Sequence, residues 1–275
     1  MLCWVILGMN KEIATEKAVL RRAKIQKLKR RRRLGMVIFL SLIILIIFGI
    51  ISLYNSDLFN VKKIIVTGNN RISKGQIIKE SGIDSDTSLL KLSRDEIKKR
   101  ILKEPWIKDV EIKRHFFNSV EIKLIEREAV AAVPFQDIYL LVDEGLIVLE
   151  SREAIDELSL PVILDLKLTK AKIGRKLTLS SLKNAVKSLV SLDKELRDSV
   201  TMINAPSVEK LTLMLALEND NGDPYDVEIL YGEANDTSTK NAIIKEILTK
   251  SKKHVIYIDV RIASNPAVKF LEDAS

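Results

Sequence analysis

The sequence predicts an α+β protein held by a single transmembrane helix, with a β-α-α-β-β domain after the helix and a C-terminal β-rich domain containing two helices. Three observations predict it. Leu34 to Leu53 reads LGMVIFLSLIILIIFGIISL and carries no charge. The stretch that follows sets two helix-start signals between short β-branched runs. Beyond it, short apolar runs separated by turn residues dominate, and only two stretches keep a helical period.

The anchor comes first. At ~1.5 Å per residue, a helix over Leu34–Leu53 spans ~30 Å, the thickness of a bilayer's hydrocarbon core. Ser41 and Ser52 can each return a hydrogen bond to a carbonyl one turn earlier. A soluble core helix is seldom apolar all round over this length, so the segment at 34–54 reads as membrane-spanning. Arg30, Arg31, Arg32 and Arg33 abut it on one side, while Tyr54-Asn55-Ser56-Asp57 brings no positive charge on the other. Basic residues stay on the cytoplasmic side, so residues 1–33 form a basic cytoplasmic tail and the rest lies outside, a single-pass type II topology in the cell membrane. The tail from residue 10 fits a helical continuation of the anchor or disorder equally well.

Charge follows the same division. The chain has 45 Lys+Arg and 37 Asp+Glu, net +8. Residues 1–33 hold 11 basic and 2 acidic residues, and the remainder 34 and 35. The high isoelectric point belongs to the tail, which marks topology and touches anionic lipid around the anchor. A nucleic-acid partner is not expected, because the external part is balanced. Met1–Met9 lacks the charged start, apolar core and cleavage site of a secretory signal, and Met9 is the expected start; N-terminal peptide mapping that found Met1 would sink that expectation. Cys3 is the only cysteine, which excludes an internal disulfide and a thiolate metal site.

The first external domain is expected at 57–128. Val61–Thr67 is β-branched and ends at Gly68-Asn69-Asn70. Ser73 with Gln76 forms a capping box, Ile77 and Ile78 follow, and Gly82 stops the helix. Ser93 with Glu96 repeats the box, with Ile97 and Ile101 on one face and Pro105 beyond. Ile107–Arg114 alternates as a strand with one wet face, His115–Ser119 turns the chain, and Val120–Leu124 alternates again. Two helices must then cover one side of the sheet.

The second domain is expected at 129–270, with a short tail at 271–275. Ile138–Val142, Asp143-Glu144-Gly145 and Leu146–Leu149 read as a hairpin. Leu160–Ile163 is a short strand with Pro161 near its start. Leu179–Leu196 is a helix with Leu182, Ala185, Val186, Leu189 and Val190 in period. Leu211–Leu217 and Tyr225–Leu230 flank a turn at 219–224. A helix near Thr239–Ser251 turns Ile243, Ile247 and Leu248 inward, and Val255–Arg261 is the last strand.

With its order directly after one anchor, the 57–128 stretch resembles a POTRA domain, and more narrowly that of the FtsQ/DivIB cell-division proteins. The residues that carry the resemblance are Phe59-Asn60-Val61, Val66-Thr67-Gly68-Asn69, Pro105-Trp106-Ile107, Val110, Arg114 and Ile125–Ala131. Ala129 stands where that family usually has proline, and His115-Phe116-Phe117 replaces an aromatic-proline turn. Asp143 with Gly145, Leu160–Ile163, Tyr231-Gly232, Tyr257–Arg261 and Pro266-Ala267-Val268 resemble the family's β domain. The resemblance implies a scaffold at the division septum that joins FtsB/DivIC-like and FtsL-like bitopic proteins and regulates septal wall synthesis. It also implies contact through the C-terminal strands. There Val255, Tyr257, Asp259 and Arg261 alternate with Ile256, Ile258 and Val260. The aliphatic set is expected to face the core and the mixed set water or the partner, which would bind by strand addition.

No catalytic constellation is expected. His115 and His254 have no partner at catalytic or metal-ligand spacing, Gly68, Gly145 and Gly222 stand alone in turns, and Trp106 is expected in the core. The chain is therefore expected to be no enzyme and to need no cofactor, metal or small-molecule substrate. The alternatives are a membrane-anchored extracellular hydrolase and a POTRA protein of polypeptide transport, the latter lacking the barrel strands that function normally needs.

Overall fold

The computed structural model describes residues 32–54, 56–115, 118–154, 159–219, 222–250 and 255–271. Arg30 and Arg31, the rest of the tail with Met9 and Cys3, Phe116-Phe117, His254 and residues 272–275 lie outside the described residues. Contacts divide the chain into two units. One holds the residues up to Lys62 with 84–92 and 116–118, and the other holds 63–83, 93–115 and everything from 119 onward.

In the first unit, helix α1 (Arg32–Tyr54) is long and apolar enough to cross a membrane, and its side chains are exposed throughout. Ser41 Oγ donates to the Ile38 carbonyl at 2.8 Å, the back-bond that lets a hydroxyl sit in such a helix. A 3-10 turn at Asp57–Phe59 is capped by Ser56, whose Oγ accepts from Leu58 N. Val61 N donates to the Thr87 carbonyl and Lys62 N to that of Asn118. Val61 therefore belongs to this loop packing, and the first strand begins two residues later than its β-branched run predicts.

The second unit contains two sheets. In the first, β1 (Lys63–Thr67), α2 (Lys74–Ser81), α3 (Arg94–Ile101), β2 (Ile107–His115) and β3 (Ser119–Glu126) give the strand order β1-β3-β2. The predicted β-α-α-β-β order is present. β1 runs parallel to β3, and β2 antiparallel to it with Ile112 opposite Ile122. Val110, Ile112, Val120, Ile122 and Leu124 are buried, as are Ile77, Ile97 and Ile101 on the helices. Both caps form: Ser73 accepts from Gln76 N and Ser93 from Glu96 N. Gln76 turns its amide nitrogen to Glu80 and Glu104. Gly68 at φ 79 closes the first strand, where a Cβ would collide with the Leu124 carbonyl. His115 lies within β2, not in the turn, and its Nε2 is 2.8 Å from Glu121 Oε2.

The second sheet has nine strands in the order β12-β11-β10-β9-β8-β7-β4-β5-β6. Its members are β4 (Ala129–Phe135), β5 (Ile138–Asp143), β6 (Val148–Arg152), β7 (Val162–Leu164), β8 (Val200–Asn204), β9 (Thr212–Glu218), β10 (Pro224–Leu230), β11 (Val255–Asp259) and β12 (Ala267–Phe270). Helices α4 (Ser180–Ser191), α5 (Lys194–Ser199) and α6 (Thr237–Lys250) accompany it. Leu182, Ala185 and Leu189 of α4 join Val133, Ile163, Ile203, Leu213 and Ile229 of the sheet in one core.

Four sequence expectations change here. The Leu179–Leu196 helix is two helices, so this region has three helices in place of two. Leu192 turns extended, and Asp193 caps α5 by accepting from Leu196 N at 3.0 Å. Strands β4 and β8 were not expected. Along α6, Ile244 is fully buried, deeper than Ile243, Ile247 and Leu248, and Lys240 is buried too. Val255–Arg261 is not the last strand, because β12 follows and pairs with it antiparallel.

Trp106 is half-buried, not a core residue, and the Arg71 guanidinium stacks 3.6 Å from its ring centroid. Arg71 also bonds Glu150 at 2.7 Å, Lys108 bonds Glu144 at 2.7 Å, and Arg127 bonds the buried Asp143 at 2.6 Å. Arg71 from the loop after β1, Lys108 of β2 and Arg127 just after β3 are each thereby tied to the β5–β6 hairpin. Lys108 is held above the ordinary lysine range by its hydrogen bond to Glu144.

Candidate functional site

The C-terminal end of the large sheet is built from β10, β11 and β12. β11 is paired on both sides: Tyr257 faces Glu228 of β10 in parallel register and Lys269 of β12 in antiparallel register. A strand paired on both sides has no free edge, so backbone addition at β11 is excluded by β12 itself. Among the described residues, the free edge at this end of the sheet is β12.

The expected alternation along β11 holds from Tyr257 onward. Ile258 and Val260 are fully buried, Tyr257 and Asp259 are half-buried, and Arg261 is exposed. Val255 departs from it. It is buried at 2%, while Ile256 is half-buried, because the register against β12 slips between Val255 and Tyr257. Such a bulge reverses which side chains face the core upstream of it. The structure thus groups Tyr257, Asp259 and Arg261 and removes Val255 from that face. Ile256, Tyr257, Glu228 and Val268 line a shallow groove there.

Just past the strand, Arg261 folds back on Asp259. Its Nη2 is 2.6 Å from Asp259 Oδ2, its Nε 3.0 Å from Oδ1, and its backbone N donates to the same Oδ1 at 3.0 Å. The Arg261 guanidinium holds the Asp259 carboxyl below the usual aspartate range, and Asp259 in turn raises Arg261. Gly232, at φ 66, lies against the Arg261 stem, where a Cβ would sit 3.0 Å from Arg261 Cγ.

A buried polar network fixes the 231–236 loop beneath this clamp. Lys240 Nζ donates to the Tyr231 and Glu233 carbonyls at 2.9 and 2.8 Å. Asn184 Nδ2 donates to the Val208 and Gly232 carbonyls, and its Oδ1 accepts from Ala234 N. Tyr231 donates its hydroxyl to Asn241. Burial lowers the Lys240 ammonium and raises the Tyr231 phenol.

Around β12 the surface is apolar for an exposed edge. Ile262 is 65% exposed, Leu271 54% and Phe270 38%. The sequence hid β12 because it spans four residues and carries no β-branched residue except Val268. Its usable signal was Val268 and Phe270 alternating around Lys269 behind Pro266. Of the topology residues, Arg32 and Arg33 open α1 and are exposed. Among the described residues no three His, Cys, Asp or Glu side chains converge on a metal position.

The comparisons agree on one lineage. A family model described as POTRA domain, FtsQ-type, matches residues 59–127. Cell division protein DivIB of Clostridium acetobutylicum is 28% identical over 215 residues, 76% of this chain and 82% of that one. DivIB of Clostridium tetani is 27% identical over 78% of this chain and 81% of its own length. Cell division protein FtsQ of Syntrophotalea carbinolica is 33% identical over 51% of this chain and 50% of that one. An apolar helix long enough to span a membrane, an FtsQ-type POTRA match and division proteins that align across most of the chain lead to one conclusion: residues 59–127 match the FtsQ-type POTRA domain, and the chain is similar over most of its length to DivIB cell-division proteins.

Proposed function

We propose that this division scaffold binds FtsB/DivIC-like and FtsL-like bitopic proteins outside the cytoplasm, at the septum, and through them regulates septal wall synthesis. Its N-terminus is cytoplasmic, residues 57–128 and 129–270 act as external modules, and no reaction is carried out. The observation that carries this reading is the free outer edge of β12 flanked by exposed Ile262, Phe270 and Leu271. An open edge offers main-chain donors and acceptors to an added strand, and exposed apolar side chains offer it something to bury. The proposed contact therefore lies one strand outward from Val255–Arg261, and Tyr257 and Arg261 flank it while Val255 serves the core. The hydrolase and transport readings gain nothing from relatives named as division proteins.

The test is capture of the partner pair by the full-length protein, with circular dichroism as the folding control. Prolines placed singly at 267–270 should alternate in effect. Those whose N–H faces outward should abolish capture with the fold intact, and those facing β11 should disturb the fold. Phe270→Ala and Tyr257→Ala should each weaken capture by about 1–2 kcal/mol. Ile258→Asp should unfold the sheet end. Full capture by every folded proline variant would rule out this edge.

A further inference from the structure

Between Asp165 and Asp193 the chain carries seven basic residues and no acidic one. They are Lys167, Lys170, Lys172, Arg175, Lys176, Lys183 and Lys187. The part after the tail is otherwise acidic, with 27 basic against 35 acidic residues once these seven are set aside. All seven are exposed. None forms a salt bridge among the described residues, although Lys108, Arg127, Lys245 and Arg261 each do. Unpaired like charges held close together raise the local positive potential.

The segment is held in place by its backbone. Gly174 N donates to the Val148 carbonyl, Val148 N to that of Arg175, and Leu177 N to that of Leu146. Gly174 makes the turn at φ 76. Lys167, Lys170, Lys172, Arg175 and Lys176 line one open groove, over a floor that includes Phe135 and Leu177. Lys183 and Lys187 lie four apart on the exposed face of α4. Ile173, at 48%, is the one large apolar side chain of 166–179 that stands strongly exposed. The surface offers charge without the buried apolar anchor that a protein partner needs. A planar bilayer reaches the rim of a concave surface and not its wall, whereas a flexible chain can follow it.

We propose that this groove binds a linear polymer of repeated phosphate groups outside the membrane. Several cations spaced along one groove suit a chain of regularly spaced anions, and release of counterions drives such binding. The inference rests on the outward orientation proposed above.

The experiment uses the full chain in neutral-detergent micelles and end-labelled poly(glycerol phosphate) as the probe. The groove variant is K167Q/K170Q/K172Q/R175Q/K176Q, and R30Q/R31Q/R32Q/R33Q controls for the basic tail. The groove variant should bind on the order of tenfold more weakly at ~0.1 M salt, with a shallower dependence of log K on log salt. The tail variant should keep the groove-dependent component. Should the five-fold variant lose its native thermal transition, K167Q/K170Q/K172Q carries the same expectation with a smaller loss. Equal binding by wild type and a folded groove variant overturns the proposal. So does groove-dependent binding that is tighter for polyglutamate or for phosphatidylglycerol vesicles than for the probe. A wrong orientation would show as a silent external reporter and would leave binding in micelles unchanged, so the two failures are distinguishable.

Discussion

Lys240 is 2% exposed, and its ammonium rests on two carbonyls, those of Tyr231 and Glu233. Charge-assisted bonds of this kind offset the cost of burying the cation. Replacing Lys240 with Met leaves both carbonyls short of a donor in a buried site. We expect Lys240→Met to lower stability by about 1–3 kcal/mol in chemical denaturation. Unchanged stability would mean the burial cost cancels the bonds. Asp259 gives a signed pH expectation. Its folded carboxyl lies below the unfolded value because Arg261 bonds it, so it adds stability above the unfolded value and loses it as pH falls through the folded one. Wild type should therefore lose more stability than Arg261→Ala between about pH 5 and pH 2. Carbon NMR of the Asp259 carboxyl should show its midpoint moving up in that variant. Neither residue was fully legible in the sequence. Asp259 and Arg261 stood two apart on a strand face, which placed them together. Lys240 looked like any solvent-facing helix lysine, because its partners are backbone carbonyls seven and nine residues back.

The break between α4 and α5 is the clearest departure at the level of elements. Leu179–Leu196 keeps an apolar period across it, since Leu192 and Leu196 remain buried after the helix turns. Periodicity alone does not reveal a corner when both arms face one core. The signal present was Asp193, an N-cap type followed by Glu195 in a first turn. It also bonds Lys245 of α6 at 2.6 Å. Asp193→Ala should cost about 0.5–2 kcal/mol, mostly from the cap because the ion pair is partly exposed. Thermal or urea unfolding would measure it, and a loss below a few tenths would show the corner is set by packing alone. Strand β4 failed for a different reason. Ala131, Ala132 and Val133 are consecutive and all fully buried, so no alternation appears, and alanine is a poor strand former. The N-caps at Ser73 and Ser93, by contrast, were readable because donor and acceptor lie within three residues, although Gln76 turns its side chain to Glu80 and Glu104 and does not reach back to close the box.

At the level of the whole molecule, the proposed orientation rests on the charge at one end of α1. A reporter active only outside the membrane, fused after Ser275, should be active, and neutralising Arg30–Arg33 should scramble or invert that signal. A silent fusion on a stable, inserted protein would reverse the topology. The sequence by itself determined the anchor, the β-α-α-β-β order, both capped helices and the resemblance to the FtsQ/DivIB proteins, because each depends on neighbours within a few residues or on a run of composition. Tertiary structure alone decided where the edge lies. Whether Val255–Asp259 is an edge or an inner strand depends on the pairing of Ala267–Phe270, and which way Val255 faces depends on a bulge against that partner. The gathering in one groove of five cations without a salt bridge among the described residues likewise needed the backbone bonds from 174–177 to the β5–β6 hairpin. Pairing partners are chosen by the free energy of the assembled sheet and its core, a quantity that no local stretch of residues carries.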